Sequence, residues 1–125
     1  MSYENALEAA GATIHNSRAF GSYQGDMWIH LTYNGTTGWL CISYGSCGGC
    51  DSYEAWHNDI RHQHPDYYEN WDAYPTQEEL ADFGRGYLDS IMTTEEAIVV
   101  ASERLDWDME AKEMIEFIES TNYGK

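Results

Sequence analysis

The stretch Asp26-Met-Trp-Ile-His-Leu-Thr-Tyr33 alternates, with Met27, Ile29, Leu31 and Tyr33 on one side of an extended chain and Trp28, His30 and Thr32 on the other. Asn34-Gly35 follows, a dipeptide that accepts the positive φ angles of a tight hairpin turn. Gly38-Trp-Leu-Cys-Ile-Ser-Tyr44 then returns as a second strand. A two-residue turn pairs Tyr33 with Thr36 and sets Trp28 opposite Cys41, whereas Thr36, Thr37 and Gly38 also allow a longer loop. In either register the second strand delivers the chain to Cys47.

Around this hairpin the pattern is helical. Ser2 caps a first helix with Leu7 and Ala10 on one side, and Gly11 ends it. Ala12–His15 reads as a short strand, and 21–26 as a turn-rich approach to the sheet. Asp51-Ser-Tyr-Glu54 resembles a capping box, opening a helix to about Arg61 that stops before Pro65. Thr76 with Glu79 opens the next, lined by Leu80, Phe83, Tyr87 and Ile91, where Gly84 and Gly86 weaken the helix or admit another backbone. Thr93 or Thr94 starts a helix through Arg104 with Ile98, Ala101 and Leu105 inward. Asp108 caps the last, striped by Ala111, Met114, Ile115 and Ile118. The expectation is one α+β domain over residues 1–125. A small antiparallel sheet in the β-rich half 1–50 packs with four to five helices of the acidic half 51–125.

Six Lys and Arg face 22 Asp and Glu, a formal charge of −16. Residues 1–50 hold Glu4, Glu8 and Asp26 against Arg18, a balance of −2, which leaves −14 for residues 51–125. Such a chain does not neutralise phosphates, so direct binding to nucleic acid or an anionic membrane is not expected. A basic protein partner fits the charge, as does mimicry of DNA; acidic faces that only maintain solubility are the plainer alternative. No leader or bilayer-spanning run is visible, and an odd three cysteines fit a reduced compartment, so a cytoplasmic location is expected.

Tyr44-Gly-Ser-Cys-Gly-Gly-Cys-Asp51 carries Cys47 and Cys50 at C-x-x-C spacing, and His57, His62 and His64 follow. Thiolate and imidazole are the ligands zinc prefers, four in a closed structural site. On a continuous helix His57 and His62 diverge by about 140°, whereas His57 and His64 lie about 20° apart. His57 with His64 therefore serves an unbroken helix, and His57 with His62 a broken one; Cys41 or His30 could complete the set. The same C-x-x-C, after a strand and before a helix, also suits a redox dithiol or a Cys47 nucleophile. A zinc deaminase is not expected, since no His-x-Glu occurs. A nuclease of this charge would repel its substrate.

Tyr67, Tyr68 and Trp71 sit in an acidic loop ahead of Glu78, Glu79 and Asp82. They either cap the core beneath a long loop or form a protein-recognition surface.

The segments Gly21-Ser-Tyr-Gln-Gly-Asp26 and Tyr44-Gly-Ser-Cys-Gly-Gly-Cys-Asp-Ser-Tyr-Glu54 resemble those of small phage and prophage proteins, over about a quarter of the chain. In size, charge and C-x-x-C segment the chain is similar to small acidic inhibitors of host defence, among them zinc-binding anti-CRISPR proteins. That resemblance implies a non-catalytic protein that binds and blocks a basic host nuclease, such as a CRISPR-associated one, and carries over no residue roles. A thiol or redox protein and a housekeeping zinc domain are the alternatives.

Overall fold

A computed structural model describes residues 2–21, 24–45 and 51–123. The architecture is α+β. Strands β1 (Thr13–Gly21), β2 (Gly25–Tyr33) and β3 (Thr36–Tyr44) form an antiparallel sheet in that order. The α-helices of the described residues are α1 (Ser2–Ala9), α2 (Ser52–Gln63), α3 (Gln77–Leu88), α4 (Thr94–Ser102) and α5 (Ala111–Tyr123).

Asn34 and Gly35 take φ angles of 53° and 82°, so the turn is the two-residue one, and Tyr33 pairs Thr36 while Trp28 pairs Cys41. The small residues after the turn belong to β3. A Cβ on Gly38 would lie 2.3 Å from the Met92 carbonyl oxygen. Its absence lets the backbone of Met92 approach, and Trp39 and Met92 exchange two hydrogen bonds of 2.8 Å along the outer edge of β3. β1 is longer than the strand expected at Ala12–His15. It is an edge strand with a register shift between Ile14 and Asn16 and mostly exposed side chains, so hydrophobic alternation does not announce it.

Asp26 to Leu31 is buried on both sides. The alternation of β2 therefore does not divide core from solvent; it divides one core from another. Met27, Ile29 and Leu31 join Leu40 and Ile42 of β3 in a first core with Tyr3, Leu7 and Leu88. Trp28 and Trp39 face the other way, into a second core with Phe20, Ala97, Ala101, Met114 and Ile118. The sheet is the middle layer, with α1 and α3 on one face and α4 and α5 on the other.

Asp51 caps α2, which runs past Arg61 to Gln63. Thr76 and Thr93 form complete capping boxes with Glu79 and Glu96 at the starts of α3 and α4. α3 stops at Leu88, so Ile91 packs on the first core from beyond the helix. Gly84 does bring a second backbone close: its missing Cβ would lie 2.1 Å from the Ala6 carbonyl oxygen. α4 ends at Ser102, and the expected inward face holds at Ala101, which is buried with Ala97, and at Ile98, which packs on the second core, but is corrected at Leu105, which is 53% exposed. The chain has left the helical period there, and Arg104 takes the inward position. The α5 stripe stands as expected, with Ala111, Met114 and Ile118 buried.

Candidate functional site

A buried polar arrangement lies at the N-terminus of α2. The Asp51 carboxylate accepts from the N–H groups of Tyr53 (3.0 Å) and Glu54 (3.2 Å), from Gly45 N–H (2.9 Å) and from the Tyr3 hydroxyl (2.5 Å). Tyr3 in turn accepts from Tyr53 N–H at 3.0 Å. Burial opposes the charge on Asp51, but Gly45, Tyr3, Glu54 and Tyr53 together outweigh it and hold the carboxyl below its usual range. Burial, reinforced by the hydrogen bond to Asp51, pushes the Tyr3 phenol up to about 12. One carboxylate thus caps α2, joins it to α1 and ties Gly45 to Asp51.

Cys47 and Cys50 lie outside the described residues, between those two tied ends. The histidines are dispersed. His57 is half-buried on α2, its ring 5.9 Å from that of Tyr53 and 6.4 Å from that of Tyr67. His62 is exposed on the same continuous helix, about 140° round from His57. His64 has left the helix: its ring stacks on Tyr74 at 3.8 Å and its Nε2 meets Glu79 at 2.7 Å. His30 is buried against Trp39, and Cys41 packs on the second core, both across the sheet from the core that Tyr53 of α2 joins. Among the described residues, no three His, Cys, Asp or Glu side chains gather into a metal-binding group.

The acidic aromatic loop divides in two. Tyr74 donates to both oxygens of Asp66 (3.0 and 3.2 Å), and Tyr67 lies between Tyr68, Tyr74 and the Arg61 guanidinium. Those residues brace the loop. Tyr68 and Trp71 point out, 83% and 66% exposed. Glu79 is engaged by the capping box and His64; burial opposes its charge, yet the Thr76 N–H and His64 hold its carboxyl below the usual range. Asp82 pairs with Arg85. Glu69, Asp72 and Glu78 make no ion pair among the described residues, so they carry the charge beside Tyr68 and Trp71.

A second exposed apolar segment was not among the expected sites. Between α4 and α5, Trp107 is 70% and Met109 97% exposed, beside Leu105. Arg104 anchors this segment by reaching inward: its guanidinium meets Asp26 at 2.8 Å and Cys41 Sγ at 3.4 Å, and lies 5.9 Å from the Trp28 ring. Ser43 donates to the other oxygen of Asp26 at 3.1 Å. Burial pushes the Cys41 thiol up, against the opposing pull of Arg104. The signal was in the sequence: Leu105-Asp-Trp-Asp-Met109 alternates large apolar and acidic residues where no strand follows.

No family model matches the chain, and neither a curated protein nor a solved structure is significantly similar to it. No helix among the described residues is long and apolar enough to cross a membrane.

Proposed function

We propose that this chain is a non-catalytic acidic protein that works by binding a basic protein partner. The exposed pair Tyr68 and Trp71 carries the proposal, held out by a braced loop and bordered by Glu69, Asp72 and Glu78. Aromatic side chains fixed in place lose little entropy on contact, and the surrounding carboxylates steer and select a cationic surface. The concrete form is a phage-derived inhibitor of the anti-CRISPR type that occupies the DNA-binding surface of a host nuclease. Its site of action is then the host cytoplasm. Zinc held by Cys47 and Cys50, with His57 as a third ligand, belongs to the same proposal; it would add a cross-link at the start of α2 and no chemistry.

The thiol reading has one observation in its favour: the cysteines lie between the end of β3 and the start of α2, where a helix N-terminus favours a thiolate. Asp51 counts against it. A carboxylate held in its ionised form already occupies that N-terminus and opposes a second negative charge beside it.

The test is inhibition of DNA loading by a purified CRISPR effector nuclease, with Tyr68→Ser/Trp71→Ser as the comparison. The expected result is a salt-sensitive block that the double variant weakens by about tenfold. Retention of no basic DNA-binding protein at low salt by the immobilised wild type would overturn the proposal itself. Metal content by mass spectrometry decides the zinc part separately: about one zinc per chain, lost in Cys47→Ser, is expected, and metal-free wild type would remove it.

A further inference from the structure

We propose that residues 103–110 form a second docking surface, which seats a basic amphipathic helix of another protein. The surface is distinct from the Tyr68 and Trp71 loop and belongs to the opposite helical layer, joining α4 to α5. It rests on the reading above only in taking the partner to be basic.

Three large apolar side chains, Leu105, Trp107 and Met109, stand out from a span of five residues. The backbone beneath them is ordered by successive turns: Leu105 N–H bonds Ser102 O (3.1 Å), Trp107 N–H bonds Arg104 O (3.2 Å) and Asp108 N–H bonds the same oxygen (2.8 Å). Asp108 Oδ1 then accepts from Glu110 N–H at 2.9 Å and leads the chain into α5. From below, Arg104 holds the segment to the buried Asp26 of β2. A short connector with no further role would turn polar side chains outward. This one is pinned so that its apolar side chains face water.

The charges around it specify the occupant. Arg104, the one cation of residues 103–110, is spent on Asp26, which leaves Glu103 and Asp106 exposed and Asp108 and Glu110 half-buried beside them. An apolar ridge interleaved with carboxylates complements an apolar stripe flanked by lysine and arginine, the two faces of a basic amphipathic helix. A second copy of this chain, at −16, carries the wrong charge, as does an anionic membrane. Methionine adapts to irregular apolar surfaces, while tryptophan supplies a large contact at small entropic cost, so Met109 and Trp107 are suited to a helix of varied sequence.

The experiment is calorimetric titration of the full chain with a designed leucine–lysine amphipathic helix and with a glycine–serine–lysine peptide of equal charge. The amphipathic helix is expected to bind more tightly, with Trp107→Ser/Met109→Ser weakening it about tenfold or more and Tyr68→Ser/Trp71→Ser by less than about twofold. Unchanged thermal midpoints verify that both variants fold. Equal binding of both peptides, untouched by Trp107→Ser/Met109→Ser, would overturn this surface and leave the basic-partner reading standing. Binding of neither peptide would overturn the surface too, while salt-graded retention of basic proteins tests the broader reading independently. Loop-dependent binding to neutral phosphatidylcholine vesicles, or a dimer abolished by the loop substitutions, would also overturn it by naming a different occupant.

Discussion

The two faces of the sheet solve the same packing problem in opposite ways. On the first, the strands contribute aliphatic side chains, Met27, Ile29, Leu31, Leu40 and Ile42, and the helices bring the rings of Tyr3, Tyr53, Phe83 and Tyr87. On the second, the strands supply Trp28, Trp39 and Phe20, and α4 and α5 meet them with Ala97, Ala101 and Met114. Rings meet aliphatic chains on the first face, and on the second Phe117 of α5 sets its edge to Phe20 and Trp39 beside the alanines; interiors pack near crystal density whichever element supplies the bulk. The arrangement differs in polarity as well. The hydroxyls of the first core form a network reaching Asp51, whereas the second contains no tyrosine among the described residues and is bordered by the Arg104–Asp26 pair.

That contrast can be broken most forcefully at Trp28. Trp28→Ala is expected to cost about 3–5 kcal/mol, measured by chemical denaturation, because short alanines on α4 cannot close over the gap. A loss below about 1 kcal/mol would mean that the helices collapse onto the sheet and that the tryptophans are not what separates the layers. Trp28 Nε1 has no hydrogen-bond partner among the described residues, so Trp28→Phe should cost much less than its loss of volume implies.

Two glycines of α3 sharpen the comparison from the other face. Gly84→Ala should destabilise by about 1–3 kcal/mol, since the new methyl meets the backbone of α1. Gly86→Ala, two residues on, faces open space and should stabilise by about 0.5–1 kcal/mol through helix propensity. Equal effects at the two sites would show that α1 and α3 are not in close backbone contact.

Alkali should separate the layers. Tyr3 ionises near 12 in the folded protein against an ordinary 10, so its stabilisation is complete below pH 10 and is lost as pH rises through 12. The stability difference between wild type and Tyr3→Phe should shrink across that window, with hydrogen exchange rising at Leu7 and Leu88 before Met114 and Ile118. Asp51 works in the opposite direction. Its carboxyl is depressed, so its contribution is present above the unfolded value of about 4 and is lost as pH falls through the folded one.

Effects of similar, small size are expected at the caps. Thr76→Ala and Thr93→Ala should each cost about 1 kcal/mol, one per layer. Unequal losses would indicate that one of these helices is held mainly by packing.

The hairpin and the caps were legible because they are local. Asn34-Gly35 marked the turn, although Thr36-Thr37-Gly38 left its register open until the two φ angles settled it, and Thr-x-x-Glu satisfies its own donors. The β1 strand was only partly legible, since an exposed edge strand shows no alternation, and Leu105 was misplaced because nothing local marks where α4 stops. That Ala97 is buried beside the expected Ile98 and Ala101 depends on the tryptophans across the layer, a contact made between residues far apart in sequence. Of the candidate sites, the aromatic loop was marked with core-capping and recognition both left open; Tyr68 and Trp71 are exposed, whereas Tyr67 is half-buried. Leu105 went unnoticed because the helical period was carried onto it, and Trp107 and Met109 because they fall where one expected helix gives way to the next.

The bridge between Trp39 and Met92 has a bearing on assembly. It occupies the outward hydrogen-bonding groups in the middle of β3, so an added strand there would first have to displace Met92. Among the described residues, β1 is the edge left open. Strand-to-strand joining of two copies would use up both open edges and leave two blocked ones, so such growth ends at a pair and cannot propagate into a fibril.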